Sequence, residues 1–174
     1  MLVRAGGSDA VLARYRQELG ADVTRELTGS SEAQMWARVA QFATVALERG
    51  HNSAVLRVEV PIQAVEATIE AAERAALDNN FLPAIVGRAG CGSLLLALMP
   101  IAVDPPGVNQ YVNAISSLRT ALPRDGSAMV LRCPAEARPH IALWGSTPND
   151  VPAMQAIKKA MDSKDILNRG RFLF

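Results

Sequence analysis

The side chains best suited to hold a ligand in this chain are arginines set in apolar surroundings. Arg57 interrupts the run Ala54-Val-Leu-Arg-Val-Glu-Val60, and Arg132 interrupts Met129-Val-Leu-Arg-Cys133. A guanidinium presents a planar fork of donors that matches a carboxylate in bidentate fashion. An arginine on a sheet face otherwise runs its stem over the apolar surface and leaves its head in water. For each arginine taken singly, both readings stand. A third candidate, Arg88, sits in Gly87-Arg-Ala-Gly-Cys-Gly92. That segment has glycine-rich spacing, but it joins two apolar, strand-like runs. A phosphate cradle needs a strand, then glycines, then a helix N-terminus whose dipole and amides meet the anion. The context is therefore that of a hairpin turn, from which Arg88 and Cys91 project. Arg132, Arg57 and Arg88 are the substrate-binding candidates.

Other chemistry is thin. His51 and His140 lack the spaced carboxylate or cysteine partners that a metal site needs, so no metal is expected. His51 follows Gly50 in a polar turn and reads as exposed. His140 precedes Ile141-Ala-Leu-Trp-Gly145 and reads as a strand cap, with a general base as the alternative. Glu136 and Asp150 stand alone, and no nucleophile elbow, phosphate loop or carboxylate pair is present. Catalytic residues stay unassigned. Cys91 and Cys133 read as reduced thiols in apolar runs.

The elements that must position the arginines follow from hydrophobic period. Met1 to Ala5 and Val23 to Leu27 read as short strands, with an amphipathic helix from Asp9 to Gly20 between them. A second helix starts at Gly29 and carries Met35, Trp36 and Val39 on one side. From Asn52 onward the signals are stronger. A strand over Ser53 to Val60 ends at Pro61, and a helix follows with Val65, Ile69, Ala72 and Ala76 in register. Leu82 to Arg88 and Cys91 to Pro100 form the hairpin. Asp104-Pro-Pro-Gly107 opens a helix through Leu122, and Ser127 to Cys133 is the returning strand. A last helix, with Val151, Met154, Ile157 and Met161, follows the cap signal Pro148-Asn-Asp150, and Asn168 and Gly170 mark a turn.

Strand, helix, strand, strand, helix, strand is the split order of a ferredoxin-like α+β domain, an antiparallel sheet with its helices on one face. Residues 1–50 then form an α/β appendage, and residues 51–174 form the sheet domain with a C-terminal helix and tail. At 174 residues, 49% hydrophobic and 20% charged, the chain is long and apolar enough to bury a core. A net charge of +1 and 5% aromatic residues argue against nucleic acid as a partner. The longest apolar run, Ser93 to Val103, is about half the roughly 20 residues a spanning helix requires, so membrane insertion is not expected. Nothing near Arg4 resembles a signal peptide, and the expected location is the cytoplasm.

The closing residues Asp162-Ser-Lys-Asp-Ile-Leu-Asn-Arg-Gly-Arg-Phe-Leu-Phe174 follow a helix that carries Lys158 and Lys159. They resemble the pattern helix, Lys, Asp-Pro-x-x-Ile-Leu-Asn-Pro-Gly-Arg/Lys-Phe. That pattern closes the C-terminal cap domain of FAD-linked oxidases of the vanillyl-alcohol-oxidase type. Within that group the chain is most similar to the smaller FAD-domain subunit of bacterial glycolate oxidase. Ser163 and Arg169 replace the two prolines. The Trp144-Gly145 passage and the Trp-bearing helix near Trp36 resemble the family too, and the resemblance is densest over residues 127–172. It implies a cap domain that covers a flavin and shapes a pocket for a 2-hydroxy acid. FAD would be bound mainly by a separate domain, with Asn168 and Arg171 placed near it. The implied partners are an FAD-binding domain or subunit and other subunits of an oxidase complex, through which the chain would sit peripheral to a membrane. Alone it would be inactive. The alternative is a free-standing ferredoxin-like binding, regulatory or bridging subunit that self-associates through its sheet.

Overall fold

A computed structural model of the chain describes residues 2–50, 52–102, 104–145 and 150–169. The chain divides into two compact units, Met1–Ala40 and Gln41–Phe174.

The first unit contains α1 (Asp9–Leu19) and α2 (Gly29–Ala40), and no residue of either helix is buried. Its contacts are polar and exposed. Arg16 pairs with Glu26 at 2.6 Å, Arg4 pairs with Glu32 at 3.0 Å, and the Arg4 guanidinium lies 5.5 Å over the Trp36 ring. Gly20 stops α1 with φ 46°, a conformation open to glycine. The short strands expected at Met1–Ala5 and Val23–Leu27 are absent from the described residues, which are irregular there. A strand of that length survives only as part of a ladder, and all strands among the described residues belong to the second unit's sheet.

The second unit runs α3 (Phe42–Arg49), β1 (Ala54–Glu59), α4 (Val65–Leu77), β2 (Phe81–Arg88), β3 (Ser93–Pro100), α5 (Val108–Ala121), β4 (Ser127–Arg132) and α6 (Val151–Met161). The four strands pair antiparallel in the order β2-β3-β1-β4, the ferredoxin-like arrangement that the element order implies. Period-2 alternation decides which side chains meet the helices. Leu56 and Val58 of β1, Leu94, Leu96 and Leu98 of β3, and Val130 of β4 point to one face. There they pack on Ala72, Ala75 and Ala76 of α4 and on Tyr111, Ala114, Ile115 and Leu118 of α5. The alanine stripe lets α4 ride close to the sheet, and each fully buried leucine contributes roughly 1.5–3 kcal/mol. Tyr111 stacks on Phe81 with centroids 4.9 Å apart and donates its hydroxyl to the Asn52 carbonyl at 2.5 Å. Burial pushes the Tyr111 hydroxyl up to about 12, so it remains a donor across the working pH range.

Among the described residues of this unit, α3 covers one end of the other sheet face. Ala46 of α3, flanked by Phe42, Ala43 and Leu47, packs on Val55, Ala97, Ala84 and Met99. Eight residues are too few for a self-sustaining helix, so α3 depends on this contact. The outer edge of β4 is partly closed by the segment after it, where the Val130 N–H donates to the Leu143 carbonyl at 2.7 Å. Arg119 of α5 fixes that closure, donating to the Ala128 carbonyl at 2.8 Å and to the Ala142 carbonyl at 2.7 Å. At the β2–β3 turn, Gly92 adopts φ 68° with its Cα against the Val60 carbonyl, and its own carbonyl accepts from the Val60 N–H at 2.9 Å.

Candidate functional site

The register brings the three arginine candidates onto one face of the sheet, the face opposite α4 and α5. Arg57 lies between Leu95 and Met129, while Arg88 shares a row with Ser93, Glu59 and Ser127. Arg132 pairs with Val55, the residue two before Arg57. Simple alternation from Ala128 and Val130 would have put Arg132 on the helix side. The register shift at Val55/Leu56 takes up Leu131 as an extra residue and returns Arg132 to the open face. Along the strands Arg57 is therefore about 7 Å from the rows of both Arg88 and Arg132. All three side chains are exposed.

The rest of this open half-face is mixed. Val86, Leu95 and Met129 are half-buried in the same row as Arg57. Glu59 accepts from the Ser93 hydroxyl at 2.9 Å, and its carboxylate is 3.9 Å from the Arg57 guanidinium. At that distance and with both partners about half exposed, the ion pair contributes little and leaves Arg57 available. The face offers apolar area for a planar ligand or protein surface and three cations at its margins.

The tail is built around Asp162. Its carboxylate accepts the backbone N–H groups of Ile166 at 3.0 Å and Leu167 at 2.9 Å and is paired with Lys158. Lys158 also reaches Asp165 at 3.0 Å and the Leu167 carbonyl at 2.9 Å. The Lys158 ammonium, helped by the two amides, holds the Asp162 carboxyl down at about 2. This arrangement closes a turn in which Asp165 and Asn168 take φ 47° and 49°, the left-handed region that asparagine tolerates. Asn168 is thus held in a defined turn. Arg171 lies outside the described residues.

The remaining candidates separate. Gly87–Gly92 is a hairpin turn with Arg88 and Cys91 exposed at it, and the Cys91 thiol donates to the Arg88 carbonyl at 3.4 Å. His140 is exposed in the short helical turn Arg138–His140, and no strand follows it for it to cap, because Ile141 to Gly145 is irregular. His51 lies outside the described residues. Among the described residues no group of three His, Cys, Asp or Glu side chains is placed to hold a metal, and no helix is long and apolar enough to cross a membrane. Cys91 and Cys133 are free thiols. Asp150 precedes α6 without a side-chain capping bond.

The structure adds groups that the sequence reading passed over. Arg119 and the Lys158–Asp162 pair are two, and the latter was signalled by its i,i+4 spacing. A third is Arg138, which lines a cleft of ≈150 Å³ at the end of β4 together with Arg132, Cys133, Met129, Leu143 and Trp144. A larger, shallow groove of ≈510 Å³ runs along the start of α4, lined by Ile62 and Ile69 and by the carboxylates of Glu66 and Glu70. Neither suits a whole flavin dinucleotide. The first is too small, and the second sets two anions where a pyrophosphate would need donors.

Residues 143–172 match the family model for FAD linked oxidases, C-terminal domain. The matched span runs from the segment that closes the β4 edge through α6 to the Asp162 turn and Asn168. No curated protein and no solved structure matches the chain.

Proposed function

We propose that this chain is the cap, or substrate-side, domain of an FAD-dependent 2-hydroxy-acid oxidoreductase resembling the smaller FAD-domain subunit of bacterial glycolate oxidase, within the vanillyl-alcohol-oxidase type. The observation that carries the proposal is the family match over residues 143–172, a span that includes α6 and the Asp162 turn. The half-open sheet face supports it, since apolar Val86, Leu95 and Met129 flanked by Arg57, Arg88 and Arg132 suit contact with a ring system and an anionic substrate. In this reading the redox chemistry belongs to a flavin held mainly by another domain or subunit. The part of this chain is to bind and orient the acid and to exclude water. Asn168 and Arg171 would approach the flavin domain. The assembled enzyme would work in the cytoplasm, peripheral to a membrane through further subunits of the complex, and the isolated chain would be inactive.

The test is flavin absorbance and fluorescence on the purified chain with added FAD, repeated after an FAD-binding domain of this family is supplied. The expected result is no stoichiometric FAD binding by the chain alone. With the flavin domain present, the expected result is a complex whose flavin absorbance bleaches on adding a 2-hydroxy acid. Tight FAD binding by the isolated chain would overturn the domain assignment. A stable homodimer that buries the open sheet face, with no affinity for any flavin domain, would favour the free-standing ferredoxin-like module instead.

A further inference from the structure

The two edges of the sheet differ. Along β4 the Leu143 carbonyl takes the Val130 N–H, so that edge is partly closed. Along β2, among the described residues, no hydrogen bond reaches Ile85 or Gly87 from outside the sheet. Two prolines show which backbone groups lie on this free side. In an antiparallel ladder, residues that exchange N–H···O bonds with the neighbouring strand alternate with residues whose N–H and C=O point away from it. Pro83, opposite Leu98, has no N–H to exchange and so belongs to the second kind. Pro100, opposite Phe81, gives the same phase. The N–H and C=O groups of Ile85 and Gly87 therefore face outward from β2. Pro83 interrupts the row of outward donors on one side, and the helical turn Ala89–Cys91 ends it on the other. Between them the open edge is two donors long, and a longer added strand would meet the proline.

That short pattern is complementary to itself. A second copy of β2 laid antiparallel about Val86 sets Ile85 of each chain opposite Gly87 of the other. Each such pair exchanges two bonds, so both donors between Pro83 and the turn find acceptors. Pro83 falls opposite Ala89, beyond the end of the strand, where its missing N–H is not called on. On the helix side, bulky Ile85 lies beside a residue with no side chain. On the open side, half-buried Val86 meets its own copy as a close β-branched pair, with Cα atoms about 4.5 Å apart. Arg88 falls beside Ala84 and not beside the other Arg88, so no like charges stand face to face. We propose that the β2 edge is a self-association seam, at which two copies of this chain join their four-stranded sheets antiparallel about Val86. The seam leaves the face that carries Arg57 and Leu95 uncovered. It therefore stands apart from the oxidoreductase reading, and the failure of either leaves the other intact.

The experiment uses the full chain. Sedimentation velocity over a micromolar-to-millimolar dilution series gives the oligomeric state, and hydrogen exchange followed by NMR at both ends of the series locates the seam. The expected result is a monomer–dimer equilibrium in which the Ile85 and Gly87 amides exchange more slowly at high concentration. Val86 and Arg88 should change far less, because their N–H groups already bond within the β2–β3 ladder. Val86→Lys sets two cations opposite each other at the two-fold and should weaken association roughly tenfold. Val86→Glu should do the same alone, while an equimolar mixture of the two variants should regain the dimer, which misfolded chains could not do. A chain that stays monomeric at millimolar concentration would overturn the proposal. So would a dimer that leaves Ile85 and Gly87 exchange unchanged, or one that both Val86 variants form at parental strength. Protection appearing over Leu95 and Met129 instead would mark the open face as the contact and would equally refute the seam.

Discussion

Replacing Gly92 by alanine should be among the most damaging single-methyl changes available in the sheet unit, and two neighbouring glycines provide its controls. A Cβ at position 92 would lie 1.7 Å from the Val60 carbonyl oxygen, where real contacts are essentially never under 3.0 Å. The backbone there also has φ 68°, which costs an L-residue roughly 1–2 kcal/mol. Relief requires the Val60 carbonyl to move by more than 1 Å, yet Val60 is buried and its N–H is tied to Gly92 itself at 2.9 Å. Moving it sacrifices a buried backbone hydrogen bond, a further cost of about 1–3 kcal/mol. The sum is about 2–5 kcal/mol, or on the order of 10 °C in Tm for a domain of this size. At Gly87 the obstacle is the Leu94 Cδ2 atom at 2.4 Å, the end of a side chain that can turn aside, so Gly87→Ala should cost about 1 kcal/mol. At Gly90 nothing lies within 4 Å, and Gly90→Ala should be neutral or stabilising by a few tenths of a kcal/mol through the unfolded chain. Urea unfolding of the three variants, followed by circular dichroism, gives the ranking. If Gly92→Ala lost less than about 1 kcal/mol, the turn would have to be built differently, and the hairpin that presents Arg88 would need redrawing.

Other consequences are more local. Tyr111→Phe leaves the Asn52 carbonyl without its donor and should cost about 1–2 kcal/mol in urea unfolding. At pH 7.5 a thiol reagent should modify exposed Cys91 well before Cys133, and the Cys133 rate should climb only in strongly alkaline solution, since burial raises its thiol. Asp162 is a depressed carboxylate, so its contribution is complete above the ordinary aspartate value near 4 and is lost as pH falls through about 2. Hydrogen exchange at the Ile166 and Leu167 amides should therefore stay protected down to about pH 4 and lose protection progressively as pH falls through about 2, whereas Asp162→Asn should lose protection at every pH.

The sheet domain was legible because its signals are periodic. Ala54 to Val60 alternates, Val65 to Ala76 repeats at helical spacing, and each run ends on a proline, an Asp-Asn-Asn turn or a glycine. The element order then admits few topologies, and the observed β2-β3-β1-β4 order is the expected one. What escaped was structure that exists only through tertiary contact. Helix α3 has too few residues to announce itself and forms because Val55 and Ala97 need a cover. The strands expected at Met1–Ala5 and Val23–Leu27 fail for the complementary reason, since their residues have adequate propensity and no ladder to join.

The candidate site shows the same division. Residue type marked the arginines, because a charged side chain inside an apolar run has to be explained. Their common face depended on a bulge beside Leu131 that no alternation rule supplies, and without it Arg132 would point into the helix layer. Arg138 carried no signal at all. It lies in a polar turn after Pro134, and the fold-back of residues 141–145, stapled by Arg119 and by the Val130-to-Leu143 bond, forms the cleft that it lines with Arg132. That staple belongs to the same stretch where the family match begins. The matched residues therefore do two jobs in one segment. They close the exposed edge of β4, which would otherwise invite pairing with another chain, and they complete a cationic cleft that β4 alone could not form.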